Sequence, residues 1–155
     1  MRAFFAALLV IVAGSWLGGC SAPAPDGVRM ALSAMPNTLD PRYATDAASS
    51  RICRLLYDGL TDFDASARPV PAMADWEQLS PRRYRFTLSP ARRPFPDGRL
   101  PSAEDVAATY RSMLDPANAS PHRGTLEHIA SITVVAPDVV EFDLRRADVL
   151  FPGYL

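Results

Sequence analysis

The sequence predicts a mixed α+β domain that follows an export signal. Three observations support this fold class: a capped amphipathic helix at residues 102–114, several stretches of alternating apolar residues, and fifteen prolines. The prolines divide the chain into short elements, which disfavours a helical bundle. Apolar residues make up 48% of the 155 residues and charged residues 21%, a composition typical of a globular domain with a buried core.

The first twenty residues have the pattern of a lipoprotein signal peptide. Arg2 precedes an apolar stretch at residues 3–16, which is too short to span a bilayer comfortably and is typical of a signal sequence. Residues 17–20 (Leu-Gly-Gly-Cys) form a lipobox, which predicts acylation of Cys20 and anchoring by two or three acyl chains. The alternative is an ordinary secretory signal, or a short membrane anchor, with an incidental cysteine.

Residues 21–27 predict a flexible tether, because small residues, Pro and Gly cannot bury a core. The folded domain should therefore begin near Val28. Residues 28–32 alternate in polarity and predict a first strand, and residues 33–41 predict a loop closed by an Asp-Pro turn. Residues 43–48 are expected to be irregular.

A helix is expected next, with Ser49 or Ser50 as its N-cap and Gly59 near its C-terminal end. Its apolar side would consist of Ile52, Leu55, Leu56 and Leu60. Cys53 lies among these residues, and a small buried side chain is the simpler interpretation than a reactive thiol. If Cys20 is acylated, Cys53 has no partner for a disulfide within the chain.

The second half of the sequence predicts most of the strands. Residues 60–63 predict a short strand, residues 64–71 a turn-rich loop, and Trp76 an aromatic residue near the surface of the core. Tyr84, Phe86 and Leu88 alternate with polar residues and predict a half-buried strand. Residues 132–135 and 139–144 predict an antiparallel hairpin around the turn Ala136-Pro137-Asp138.

The helix at residues 102–114 has the clearest signals. Asp97 and Gly98 predict a tight turn before it. Ser102 and Asp105 form a capping-box pattern, and Glu104 and Asp105 place negative charge at the positive end of the helix dipole. Asp115-Pro116 should end the helix. Four residues at helical spacing should face the core: Val106, Tyr110, Met113 and Leu114.

The stretch at residues 95–113 resembles a signature of the family 5 extracellular solute-binding proteins. These are the dipeptide-, oligopeptide- and nickel-binding receptors of ABC importers. Weaker matches occur in the same order along the chain, at residues 39–41, 56–60, 71–76, 84–88, 115–116 and 119–121. The chain departs from the family pattern at Ser89, at Pro96 and in a segment at residues 88–95 that is one residue longer.

The resemblance implies part of a two-lobed clamshell. Residues 28–60 would be the start of lobe I, and residues 61–155 most of the subdomain inserted into that lobe. No counterpart of the second lobe is expected in this sequence. The apolar residues at 149–155 suggest a truncated chain; the alternative is a complete small lipoprotein with an apolar end.

The resemblance also implies candidate ligand residues. Thr45, Asp46 and Ala47 match a segment that pairs backbone-to-backbone with an extended peptide. Asp46 is a candidate partner for a ligand amine, and His122 falls where oligopeptide receptors have a ligand-facing tyrosine. The alternative is that all four are ordinary loop residues. His122 and His128 lack the spacing of a zincin motif, and no metal ligand, cofactor or catalytic residue is predicted.

The resulting hypothesis is a lipid-anchored receptor of the cell envelope, not an enzyme. It would bind a peptide or similar small solute and deliver it to ABC permease subunits. The alternative is a non-transport envelope lipoprotein, either a sensor or an interaction module. A hydrolase would require catalytic residues that the sequence does not show. The net charge of −1 gives no support to nucleic-acid binding.

Overall fold

The computed structural model describes residues 30–155, and residues 32–155 form one compact unit. Two short 3₁₀ turns, Pro116–Asn118 and Phe151–Tyr154, accompany its helices and strands. In chain order the α-helices and strands are α1 Ala47–Leu56, β1 Thr61–Phe63, β2 Pro69–Pro71, β3 Ala74–Ser80, β4 Arg83–Leu88, α2 Ala103–Leu114, α3 Arg123–Leu126, β5 Ile129–Ala136 and β6 Val139–Leu144.

The strands form two antiparallel sheets, and the predicted mixture of helix and sheet is confirmed. β1 and β2 pair with each other, whereas the larger sheet has the order β3-β4-β6-β5. Phe86 lies opposite Trp76 of β3 on one side and Val140 of β6 on the other. The buried alternation predicted for β4 is confirmed, because Tyr84, Phe86 and Leu88 are buried. The hairpin of β5 and β6 is also confirmed.

Helix α2 begins at the predicted capping box. The Asp105 amide donates to Ser102 Oγ at 3.3 Å, and the Ser102 amide donates to Asp105 Oδ2 at 2.8 Å. Arg99 binds the same carboxylate at 2.6 Å. This hydrogen bond from Arg99 is the main reason why the pKa of Asp105 is lowered to about 2. Gly98 supplies the turn before the helix with a φ of +85°, a conformation that favours glycine.

Aromatic rings fill the space between α2 and the sheet. The centroid of the Phe142 ring lies 5.5 Å from Phe86, 5.5 Å from Tyr110 and 5.4 Å from Phe151. Burial raises the pKa of Tyr110, and its hydroxyl donates to the Leu155 carbonyl at 2.9 Å. The predicted inward face of α2 is confirmed, since Val106 is buried and Tyr110, Met113 and Leu114 pack against the core.

The outward face of the sheet carries cross-strand ion pairs. Arg83 of β4 lies opposite Asp143 of β6 and binds it at 2.6 Å. Arg85 lies opposite Glu141 and also binds its partner at 2.6 Å. The two pairs repeat at a two-residue interval, as the pleat of a strand requires.

Three strand assignments from the sequence were wrong or incomplete. Residues 30–32 form no strand, and no described strand pairs with them; the first part of that pattern lies outside the described residues. Residues 64–71 are more than a loop, because they end in β2, which pairs with β1. β3 was missed, since only Ala74 of its seven residues is buried and an edge strand needs little apolar surface.

The prediction for α1 was wrong in its cap and its buried face. Asp46 is the N-cap, and its side chain accepts from the Ser49 amide. The buried residues are Ser49 and Cys53, whereas Leu55 and Leu56 are 60% and 51% exposed. Small side chains allow the helix to pack closely, and the prediction counted only large apolar residues. The buried state predicted for Cys53 is confirmed.

Gly59 does not cap α1, which ends at Leu56 with Tyr57 as its C-cap. Its role is to allow a close approach of backbone segments, because a Cβ at Gly59 would lie 2.9 Å from the Thr61 carbonyl oxygen.

Cys20, the signal stretch and the tether lie outside the described residues. Within residues 30–155, no helix is both long enough and apolar enough to span a membrane.

Candidate functional site

The four predicted ligand residues lie in two segments that the fold brings together. Thr45, Asp46 and Ala47 end the loop before α1, and we call residues 40–47 the ligand loop. His122 lies in the turn between α2 and α3, and its Nε2 lies 3.0 Å from the Ala44 carbonyl oxygen. Because a carbonyl can only accept a hydrogen bond, Nε2 carries the proton. His122 therefore binds the residue that immediately precedes Thr45.

The ligand loop begins with a tight turn that Asp40 organises. The Tyr43 amide donates to the Asp40 carbonyl at 3.1 Å, and the Arg42 amide donates to Asp40 Oδ1 at 3.0 Å. The Arg42 guanidinium also pairs with the carboxylate at 2.6 Å. This side-chain hydrogen bond is the main cause that holds the pKa of Asp40 below its ordinary value. Asp40 is thus charged at neutral pH, and the turn is closed by charge-assisted bonds.

The other end of the loop is fixed by the first turn of α1. Asp46 Oδ1 accepts from the Ser49 amide at 2.9 Å, and hydrogen bonds from Ser49 are the chief cause of the lowered pKa of Asp46. The Ser49 hydroxyl, fully buried, accepts from the amides of Asn37 and Thr38 at 2.9 and 3.1 Å. The Ser49 amide therefore holds the end of the ligand loop through Asp46, and the Ser49 hydroxyl holds the residues just before the loop.

Asp46 has a structural role in this arrangement. One carboxylate oxygen caps α1, and the other, Oδ2, is buried without a partner in the described part of the chain. An amine would have to reach this inner oxygen or displace the Ser49 amide. The hypothesis that Asp46 meets a ligand amine stays a prediction, and the structure shows that its first function is to cap the helix.

Thr45 is the residue of the loop with available backbone groups. The residue is exposed, and neither its N–H nor its C=O has a hydrogen-bond partner within residues 30–155. Unpaired backbone groups at an exposed, well-held position can pair with an extended chain. Ala47 is also exposed and adds no side chain that would block such an approach.

Sequence reasoning missed the residues that hold this loop. The Tyr43 hydroxyl donates to the Asn118 carbonyl at 3.0 Å, and the Ser120 hydroxyl donates to the Arg42 carbonyl at 2.8 Å. Arg42 also reaches Ser112 on α2 at 2.9 Å. The only signal in the sequence was the Asp-Pro-Arg turn, which does not reveal partners 70 or more residues away.

A separate groove of about 520 Å³ lies at the other end of α1, away from Asp46. Three arginines line it, and each is already engaged. Arg54 pairs with Asp62 at 3.1 Å, Arg93 pairs with Asp58 at 3.0 Å, and Arg92 donates to two backbone carbonyls. The groove therefore offers no free cluster of positive charge, and the ligand loop remains the better candidate site.

The chain is similar in sequence to a known binding protein. It is 31% identical over 98 residues to the periplasmic oligopeptide-binding protein OppA of Escherichia coli strain K12. The match covers 61% of this chain but 18% of OppA. No protein-family model matches the sequence.

Solved structures share the fold of the described chain. The unliganded open form of MppA, the murein tripeptide binding protein of Escherichia coli, is 23% identical with a TM-score of 0.71. The match covers 77% of this chain and 26% of MppA. NikZ from Campylobacter jejuni, solved with Ni(L-His), is 25% identical with a TM-score of 0.69, over 79% of this chain and 24% of NikZ.

These matches agree with the motifs in the sequence. The chain spans about a fifth to a quarter of the length of the relatives it matches. Over that part it has the mixed helix and sheet architecture of the clamshell binding proteins. In sequence and in fold, the chain is similar to part of the family 5 extracellular solute-binding proteins.

Proposed function

We propose that the chain is part of the substrate-binding component of an ABC importer. It would bind a peptide or a similar small solute through the backbone of the ligand loop. The observation that carries this proposal is the unpaired backbone of the exposed residue Thr45, held between Asp40 and Asp46 within the described part of the chain. OppA is named as an oligopeptide-binding protein, and its similarity supports a peptide as the ligand.

The proposed mode of binding is independent of ligand side chains. A peptide in extended conformation presents alternating N–H and C=O groups, and the N–H and C=O of Thr45 would each pair with one of them. His122 would orient the preceding carbonyl and not contact the ligand through Nε2, because Ala44 occupies that nitrogen.

The remaining parts of the proposal concern the whole protein. Residues 28–60 would begin lobe I, residues 61–155 would form most of its inserted subdomain, and a second lobe would close the cleft. A lipid on Cys20 would anchor the receptor in the cell envelope, on its periplasmic or extracellular side. ABC permease subunits would receive the solute there. Similarity to a periplasmic protein supports an exported location.

A matched pair of variants at Thr45 tests the proposed binding through the backbone. The variants are made in the exported protein, meaning the whole receptor with the proposed second lobe. Thr45→Ala removes the side chain but keeps the N–H group, so peptide affinity should stay within about twofold. Thr45→Pro removes the N–H group, and the loss of one hydrogen bond should weaken binding about five- to tenfold. Calorimetry with a pool of tripeptides and tetrapeptides measures both. An equal loss in both variants would contradict the backbone mode, and urea unfolding checks that both remain folded.

The 155-residue chain alone should bind peptides more weakly than about millimolar. A few hydrogen bonds of about 1 kcal/mol each must offset several kcal/mol of association entropy. A single wall also leaves the other side of the ligand in water. Calorimetry on this chain and on the exported protein compares the two affinities. Micromolar binding by the 155-residue chain would contradict the proposal that an opposing lobe is required.

A further inference from the structure

The Arg42 side chain makes more hydrogen bonds than an ion pair with Asp40 alone would require. Its Nε and NH2 groups donate to the Asp40 carboxylate, at 3.0 and 2.6 Å. Its NH1 group donates to Ser112 Oγ on α2 at 2.9 Å. One guanidinium therefore joins the turn that opens the ligand loop to the main helix of the core.

Arg42 and the two residues after it also form hydrogen bonds with residues 118–122, the segment that follows α2. The Arg42 carbonyl accepts from Ser120, the Tyr43 hydroxyl donates to Asn118, and the Ala44 carbonyl accepts from His122. Three consecutive residues before Thr45 are thus bound to a segment 70 to 78 positions away. Tertiary hydrogen bonds of this kind fix a loop that has no secondary structure of its own.

We propose that Arg42 is a positioning residue for the ligand loop and that Ser112 is its anchor on α2. The inference rests on the proposed function, since Thr45 is the residue whose backbone would meet the ligand. Arg42 itself does not contact the ligand. It sets the direction of the backbone that leads to Thr45. Helix α2 thereby supports the binding site through Ser112, although α2 itself does not contact the ligand.

The geometry requires an arginine at this position. A guanidinium is planar and can donate to a carboxylate with two nitrogens while a third points elsewhere. The ammonium of a lysine is a single point charge on a flexible stem. A lysine could retain the pairing with Asp40 but would lose the simultaneous bond to Ser112.

Amide hydrogen exchange of Tyr43 tests the proposal without any ligand. This amide donates to the Asp40 carbonyl and closes the turn. In the exported protein, Arg42→Lys and Ser112→Ala should each accelerate its exchange about tenfold, the factor for one lost hydrogen bond of ordinary strength. Ser112→Thr retains the hydroxyl and should exchange at the wild-type rate.

Arg93→Lys is the matched control. Arg93 also pairs with an aspartate, Asp58, through two nitrogens, at 3.1 and 3.0 Å, and reaches a second partner, the Leu56 carbonyl, at 3.2 Å. It lies at the other end of α1, so its substitution should leave the Tyr43 amide unchanged. Urea unfolding of all four variants separates local loosening from a loss of global stability, because a purely structural role would lower the midpoint and accelerate exchange throughout the core.

Peptide affinity is measured on the same variants with trialanine and the mixed peptide pool. We expect about tenfold weaker peptide binding for Arg42→Lys and Ser112→Ala, and wild-type affinity for Ser112→Thr. Unchanged Tyr43 exchange in Arg42→Lys, or equal acceleration in Arg93→Lys, would overturn the positioning role. Unchanged affinity alongside accelerated exchange would overturn it as well. If the wild-type protein binds no peptide, the proposed function fails, and the exchange data still decide whether Arg42 orders the loop.

Discussion

The substitution Asp105→Asn tests the start of α2 most directly. It removes the charge of a carboxylate that accepts three short hydrogen bonds at Oδ2, from Arg99 at 2.6 Å, from the Ser102 hydroxyl at 2.6 Å and from the Ser102 amide at 2.8 Å. The side chain keeps its size, so the change leaves the packing intact. Any loss of stability can therefore be attributed to the charge and its hydrogen bonds.

The magnitude follows from the pKa of Asp105. A pKa lowered from 3.8 to about 2 corresponds to about 2.4 kcal/mol of preferential stabilisation of the charged form. The Arg99 side chain is 55% exposed, and solvent screening reduces the value. We expect Asp105→Asn to lower the free energy of unfolding by about 1–2 kcal/mol at pH 7.

The dependence on pH gives the sharper measurement. Because the folded pKa is depressed, the stabilisation by Asp105 is complete above the unfolded value of 3.8 and is lost as pH falls through about 2. Urea unfolding from pH 7 down to pH 2 should show the difference between wild type and Asp105→Asn shrinking over this window. Asp40 and Asp143 also have lowered pKa values, but they contribute equally to both proteins.

The control is Glu104→Gln in the same first turn of the helix, which alters the exposed pair between Glu104 and Arg111, two turns further along. Its effect should be much smaller than that of Asp105→Asn. A difference that stays constant from pH 7 to pH 2, or an equal effect in the control, would refute the assignment of the stabilisation to the Asp105 charge.

Two further predictions concern the helix face and the anchor. Ser102→Ala should lower the free energy of unfolding by about 1 kcal/mol. Met113 is half-buried against the core, so Met113→Ala should lower it by about 2 kcal/mol. Urea unfolding compares the two variants, and a smaller effect at Met113 would show that the inward face of α2 is misassigned. Cys20→Ser should leave an unprocessed precursor without an acyl label, as gel mobility and fatty-acid labelling would show, whereas unchanged processing and labelling would refute the lipobox.

Local signals in the sequence were sufficient for the central elements of the fold. The capping box at Ser102 and Asp105 acts within one turn of helix, so its sequence pattern contains the whole interaction. The alternation in β4 has the same property, because each residue's face follows from its neighbours. The outcome for α1 was different, since Ser49 and Cys53 are buried through contacts that the local pattern does not contain.

The candidate site was predicted only in outline. The family motifs proposed Thr45 and His122 as ligand residues, which stays a prediction, and in the structure His122 Nε2 lies 3.0 Å from the carbonyl of Ala44, the residue before Thr45. The bonds of Arg42 to Ser112 and of Ser120 to the Arg42 carbonyl depend on how α2 meets the loop. Such tertiary contacts between polar residues have no periodicity along the chain, so the sequence could not reveal them.

The two ion pairs on the outer face of the sheet protect the pairing of β4 with β6 against slippage. A shift by one residue would turn Phe86 towards solvent, so the apolar face alone prevents it. A shift by two residues keeps that face inward, but it leaves only one of the two ion pairs, either Arg85 opposite Asp143 or Arg83 opposite Glu141. In one direction Arg83 would lie opposite Arg145 in place of Asp143, and in the other Phe86 would lie opposite Asp138 in place of Val140. Opposed like charges are destabilising in a sheet, and so is a carboxylate opposite a buried ring, so each shift loses one ion pair and gains one unfavourable neighbour.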